Sequence, residues 1–151
     1  MTLNQELDFK DAADDIKAAF TGRVAKKVML NSGHQLYKFT QYSLSHHGKV
    51  TPWWSSVKPV SANDTGLELL LQRSSNLGVS PAEFARARNA VTNQWNSMTG
   101  LLIAQLKVPV YGFVGGVAHQ RLDEGDSKVV FIGGAVQLWI PNLTPILIKK
   151  T

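Results

Sequence analysis

The 151-residue sequence predicts an α+β domain: a mostly antiparallel β-sheet, a helix at its N-terminus and a helical insert near its middle. Three observations carry this. Stretches of alternating apolar residues, rich in β-branched and aromatic types, run through 34–44, 108–118 and 136–148. Between the first two, apolar residues recur at helical steps from Phe84 to Leu106. The order helix, strands, helices, strands lacks the regular alternation that a parallel sheet requires. The length suits one domain, 1–151, with an N-terminal helical segment (1–33) and a core (34–151).

Along the chain, Leu7, Ala12, Ile16 and Ala19–Phe20 stand at roughly helical spacing behind early acids, and Gly22 ends the segment. VAKKVML (24–30) suits a short strand or a helix, and NSG a turn. HQLYKFTQYSL (34–44) alternates as a strand, and SHHGK is a loop. VTPWWSSV (50–57) is a second extended piece, since Pro52 forbids a helix interior. After a polar connection, LELLLQRSSNLG is a helix closed by Gly78. Ser80, Pro81 and Glu83 then form an N-cap, a first-turn proline and a capping box. The stripe Phe84, Val91, Trp95, Met98, Leu102 and Leu106 carries that helix to about Lys107 as core scaffold. VPVYGFVGGVA is a strand, HQRLDEGDS a charged surface loop and KVVFIGG another strand. In the closing run GGAVQLWIPNLTPILIKK, Pro141 ends a strand, because proline removes a ladder donor.

Composition narrows the function classes. The chain has no cysteine, which excludes a disulfide scaffold, a thiolate zinc site and a cysteine nucleophile. The N-terminus lacks the basic-then-apolar order of a signal peptide, and no apolar run approaches a membrane span, so membrane insertion is not expected. The net charge of +5 favours anionic partners, but the cations are scattered: Lys26–Lys27, Arg86, Arg88 and Lys149–Lys150.

Most candidate motifs have an ordinary explanation. GFVGG and FIGG do not follow a strand and open a helix as a dinucleotide fingerprint does, so strand bulges or close packing explain them better. His46 and His47 are adjacent in a loop, away from the spacing of zinc ligands, and no metal is expected. The acids of 11–15 and 123–126 read as solvated. Trp53–Trp54 is less ordinary, because consecutive residues of a strand face opposite sides: one ring fills the core while the other is left for a cleft. Lys38 interrupts an otherwise apolar strand, and Gln137 is a lone amide in another.

Together, QLYKFTQ, VTPWWSS and VQLWIPNLTPILI resemble the three strand signatures of the ADP-ribosyltransferase superfamily. That family carries Arg, His or Lys in a Leu-Tyr-X context. A second strand bears Ser-X-Ser or an aromatic, and a late strand reads Glu, three hydrophobic residues, Pro. Lys38 stands at the first position, Trp54–Ser55–Ser56 at the second, and Gln137 in the place of the acid before Leu138–Trp139–Ile140–Pro141. NQWNSMTGLLIAQLKVPVYGFVGG (93–116) is similar to C-terminal toxin domains of Rhs-type polymorphic bacterial toxins.

The resemblance implies split antiparallel sheets and a mono-ADP-ribosyltransferase that breaks the nicotinamide–ribose bond of NAD. It implies Gln137 and Lys38 as catalytic residues, and Lys38, Phe39, Trp54, Ser55 and Ser56 as the NAD-binding set. Lys38 would pair with the pyrophosphate, Trp54 would stack or underlie the nicotinamide, and Gln137 would bond a ribose hydroxyl. These residues would face one cleft, with Pro141 ending the strand so that Gln137 lies at its mouth. Gln in place of Glu offers no negative charge to the developing cation and cannot deprotonate a protein nucleophile. The implied setting is a secreted effector acting in a target cell's cytoplasm, with a nucleic-acid or protein acceptor and a cognate immunity protein. Two other classes compete: a non-catalytic binding or immunity-type module with a basic aromatic cleft, and a nuclease toxin using His46 or His47 as base.

Overall fold

The computed structural model describes residues 1–40, 43–45, 48–61, 64, 66–78, 80–81, 100–118, 120–124, 127–131 and 136–151. In chain order the regular elements are α1 (Asp14–Ala18), β1 (Lys26–Leu30), β2 (Gln35–Thr40), β3 (Trp53–Ser56) and α2 (Gly66–Leu77), then β4 (Gly100–Leu106), β5 (Val110–Gly116), β6 (Gln120–Glu124), β7 (Ser127–Phe131), β8 (Val136–Trp139) and β9 (Ile148–Lys150). Seven strands form one open sheet in the order β1-β5-β8-β3-β2-β4-β9, with every neighbouring pair antiparallel, and β6 pairs with β7. The fold is α+β. The motif strands β2, β3 and β8, far apart in sequence, are consecutive at the centre of the sheet.

β3 is the pivot. Its first half pairs with β8 (Trp53↔Trp139, Trp54↔Leu138) and its second half with β2 (Ser55↔Tyr37, Ser56↔Leu36). Past those positions each partner strand leaves β3 and continues on its outer neighbour, β2 on β4 and β8 on β5. The sheet therefore splits on both sides of a four-residue strand.

Cross-strand partners share a face, so the register sorts the residues. One face carries Leu30, Leu36, Trp54, Leu102, Ala104, Leu106, Val110, Val114, Leu138 and Ile148, all in the main core. We call it the inner face. On the outer face Tyr37, Phe39 and Ile103 meet Leu67 and Leu70 of α2. Elsewhere on that face Phe113, Trp139 and Trp53 meet Phe9 and Phe20 from the N-terminal segment.

Three expectations are corrected. The first twenty residues are not one helix: a 3₁₀ turn at Phe9–Asp11, α1 and a 3₁₀ turn at Thr21–Arg23 are separated by extended Ala12–Ala13 and Phe20. The apolar spacing there serves the outer face, where the Phe9 and Phe20 rings meet edge-on at 5.3 Å. The segment 1–33 also contains β1, an edge strand. Second, the chain is a strand from Gly100. Leu102 and Leu106 stand four apart, a spacing that suits a helix and a strand alike, and pairing with β2 buries Leu102, Ala104 and Leu106 together. The rest of that stripe, Phe84 to Met98, lies outside the described residues. Third, much of the expected loop HQRLDEGDS is strand, because charged residues do not stop a backbone ladder from closing between β6 and β7.

The N-terminal segment is fastened to the sheet. Asn4, at φ 64, donates from Nδ2 to the carbonyls of Tyr111 (3.1 Å) and Pro141 (2.7 Å) and accepts from Asn142 Nδ2 at 2.9 Å. Pro141 thus ends β8 at a polar clip. Further along, Gly115 lets the segment lie close: a Cβ there would stand 2.7 Å from Phe20 Cδ1 and 2.8 Å from the Val24 carbonyl oxygen. Backbone cannot yield as a flexible side chain can, so Gly115→Ala is expected to cost about 1–3 kcal/mol. Urea denaturation checks this, and an unchanged midpoint would show that the segment does not pack as described.

Candidate functional site

Lys38 is on the inner face of β2, one residue beyond the last β2–β3 pair. Freed from β3, it still pairs with Leu102 of β4. Its Nζ lies 3.9 Å from the centroid of the Trp54 ring and donates to Thr51 Oγ1. Trp54 is 2 % exposed, and its Nε1 donates to the Thr51 carbonyl at 2.9 Å. Thr51 itself is exposed, so the cluster reaches the surface at its outer end. Burial pushes the Lys38 amine down to about 7, while the electron-rich indole face favours its protonated form. Near neutral pH the group exchanges its proton readily, and an arriving anion would hold it charged.

Gln137 is half-buried on β8 and pairs with Gly115 of β5, one residue beyond the last β3–β8 pair. Its Nε2 donates to the Ala19 carbonyl at 2.9 Å. Here the expectation of one shared cleft fails. Trp54 pairs with Leu138 and shares the inner face with Lys38, so position 137 points outward. β3 also stands between β2 and β8. Lys38 and Gln137 occupy the same kind of position, the first residue of a strand that leaves β3, but on opposite faces.

The remaining expected site residues divide in the same way. Phe39 is buried on the outer face against Tyr37, Leu67 and Leu70, which makes it core instead of a ligand contact. Ser55 is half-buried on the outer face. Ser56 is 2 % exposed on the inner face; its Oγ donates to the Lys58 carbonyl and lies 2.7 Å from His34 Nε2. Burial lowers the His34 pKa, and the Asp64 charge opposes the fall. Trp54 is buried in the main core and offers its ring to Lys38. Trp53 is the half-buried member of the pair, 5.7 Å from the Phe20 ring and 6.5 Å from that of Trp139. His46 and His47 lie outside the described residues.

Sequence reasoning missed Thr51, the His34–Ser56 contact and the packing of Phe9 and Phe20 against Trp53 and Trp139. Thr51 stands three residues before Trp54, a spacing that lets one residue's carbonyl serve a nearby indole N–H. The His34–Ser56 contact depends on the β2–β3 register and leaves no local signal.

No protein-family model matches the chain, and no curated protein matches it. Among solved structures it is similar to Tne2, seen in complex with Tni2: TM-score 0.51 at 11% identity, covering 85% of this chain and 87% of that one. It is also similar to Tse6, seen in complex with Tsi6: TM-score 0.46 at 17% identity, covering 94% and 85%. At such identity the likeness to Tne2 is one of fold.

The depressed Lys38 amine sets a pH dependence. An unfolded lysine titrates near 10.4, so between about 7 and that value the unfolded chain binds more protons than the folded one. Stability attributable to Lys38 therefore rises with pH through this window. The melting temperature of Lys38→Met relative to the native chain should be higher at pH 6 than at pH 9. A difference independent of pH would contradict the burial of this charge.

Proposed function

We propose that this chain is a bacterial toxin domain of ADP-ribosyltransferase type. It splits NAD at the nicotinamide–ribose bond and passes ADP-ribose to an acceptor that needs no general base. The observation that carries the reading is the strand order: the three stretches with the family's signatures, on β2, β3 and β8, lie side by side, and the opposite-face placement of Lys38 and Gln137 counts against a site that uses both. The fold shared with Tne2, a protein solved in complex with Tni2, supports the expectation of a cognate immunity partner.

The chemistry asks little of an acid or base. Nicotinamide is cationic in NAD and leaves as a neutral amide, so the site need only bind the dinucleotide bent and stabilise a ribosyl cation. Lys38, held at the surface end of Trp54, suits the pyrophosphate as a point charge. Neither Lys38 nor Gln137 bonds a carboxylate among the described residues. The acceptor is accordingly water, yielding ADP-ribose, nicotinamide and a proton, or a nucleic-acid hydroxyl drawn by the net charge of +5.

One observation favours a second reading. Gln137 is engaged with the Ala19 backbone and turned away from Lys38, as a non-catalytic binding module would allow. Titrating NAD against the melting temperature and following labelled NAD separate the two. The toxin reading expects a concentration-dependent rise, label transfer to RNA or DNA that falls steeply with salt, and NAD loss without acceptor that is nearly salt-independent. A melting shift without NAD loss identifies a binding module. No shift and no loss refutes both NAD readings.

A further inference from the structure

We infer that Thr51 is a positioning residue: it sets Lys38 as the anion-binding group, and the ligand it prepares for is the pyrophosphate of a dinucleotide. The inference rests on the reading above and adds the residue that makes Lys38 competent. Lysine is long, with rotamer freedom that a binding site must restrict. Two contacts restrict it here. The Trp54 ring lies 3.9 Å from Nζ, and the Thr51 hydroxyl accepts one of its protons. Both trace to Thr51, whose carbonyl also takes the Trp54 indole N–H at 2.9 Å and so fixes the plane against which the ammonium rests.

An ammonium group has three protons. One goes to Thr51 Oγ1, and the indole face covers one side. Among the described residues Nζ has these two contacts, and Thr51, which is exposed, brings the cluster to the surface where an anion could reach it. The hydroxyl also favours the protonated amine, which opposes the effect of burial. Without it, Lys38 would be neutral over more of the physiological range and free to swing off the indole.

The test uses the full chain with inorganic pyrophosphate as probe, titrated by calorimetry from pH 6 to pH 9. Because Thr51 is exposed and holds Trp54 through its main chain, Thr51→Val keeps the Trp54 bond and the β-branched shape. It should weaken pyrophosphate binding at pH 7.5 roughly tenfold, the scale of one charge-assisted hydrogen bond. It should also move the pH midpoint of binding downward, so that affinity recovers in part at pH 6. Thr51→Ser should restore both. A merely structural role for Thr51 would lower the melting temperature and leave that midpoint in place. Native affinity and midpoint in Thr51→Val, with binding abolished in Lys38→Met, would overturn the role of Thr51 and leave Lys38 as the anion group. Native pyrophosphate binding in Lys38→Met would overturn both, and with them the place of Lys38 in the proposed function.

Discussion

The structure depends on four residues, Trp53–Ser56, that serve two ladders in succession. β8 pairs with its first half and β2 with its second. Among the described residues the two halves of the sheet are joined through β3. Trp54 supports the joint by lying in the main core with Leu36 and Leu138, its partners' residues on either side. Ser56 supports it by bonding the nearby Lys58 carbonyl and meeting His34 from across the chain. Where β2 and β8 part from β3, Lys38 and Gln137 are the residues next to the last β3 pair of each strand. Polar side chains at those positions do not interrupt a continuous ladder.

Parity governs what those positions can do. In a strand each step reverses the face, and the register leaves Lys38 with Trp54 and Gln137 with Trp53 and Trp139. The inner position is cationic, backed by an indole and open at Thr51. The outer position is an amide covered by the N-terminal segment, which Phe20 and the Gly115 backbone hold at close quarters.

The strands were legible where composition and alternation agreed. QLYKFT, WWSS and VQLW all read as extended, and all are, because each buries large apolar residues on one face while its backbone pairs. The error at Leu102 and Leu106 has the opposite cause: a spacing of four is even, so it satisfies both periods, and only the partner strand β2 decides. The N-terminal spacing misled for a related reason, since Phe9 and Phe20 are wanted by the sheet's outer face more than by a helix stripe. The site was harder to read. Lys38 and Gln137 stand out as polar residues in apolar strands, but the face each takes is set by the β3 register across nearly a hundred residues of chain. Thr51 gave no sign of its own, because its two bonds exist only once Lys38 and Trp54 are brought together.

The central proposal is that this chain, with Lys38 where its sheet splits, consumes NAD. Proton NMR of NAD incubated with the chain at neutral pH and without any acceptor tests it most directly, because free nicotinamide has its own resonances. The account predicts that nicotinamide and ADP-ribose appear in equal amounts with the native chain and at a greatly reduced rate with Lys38→Met. NAD that stays intact at enzyme concentrations sufficient to bind it would contradict the claim.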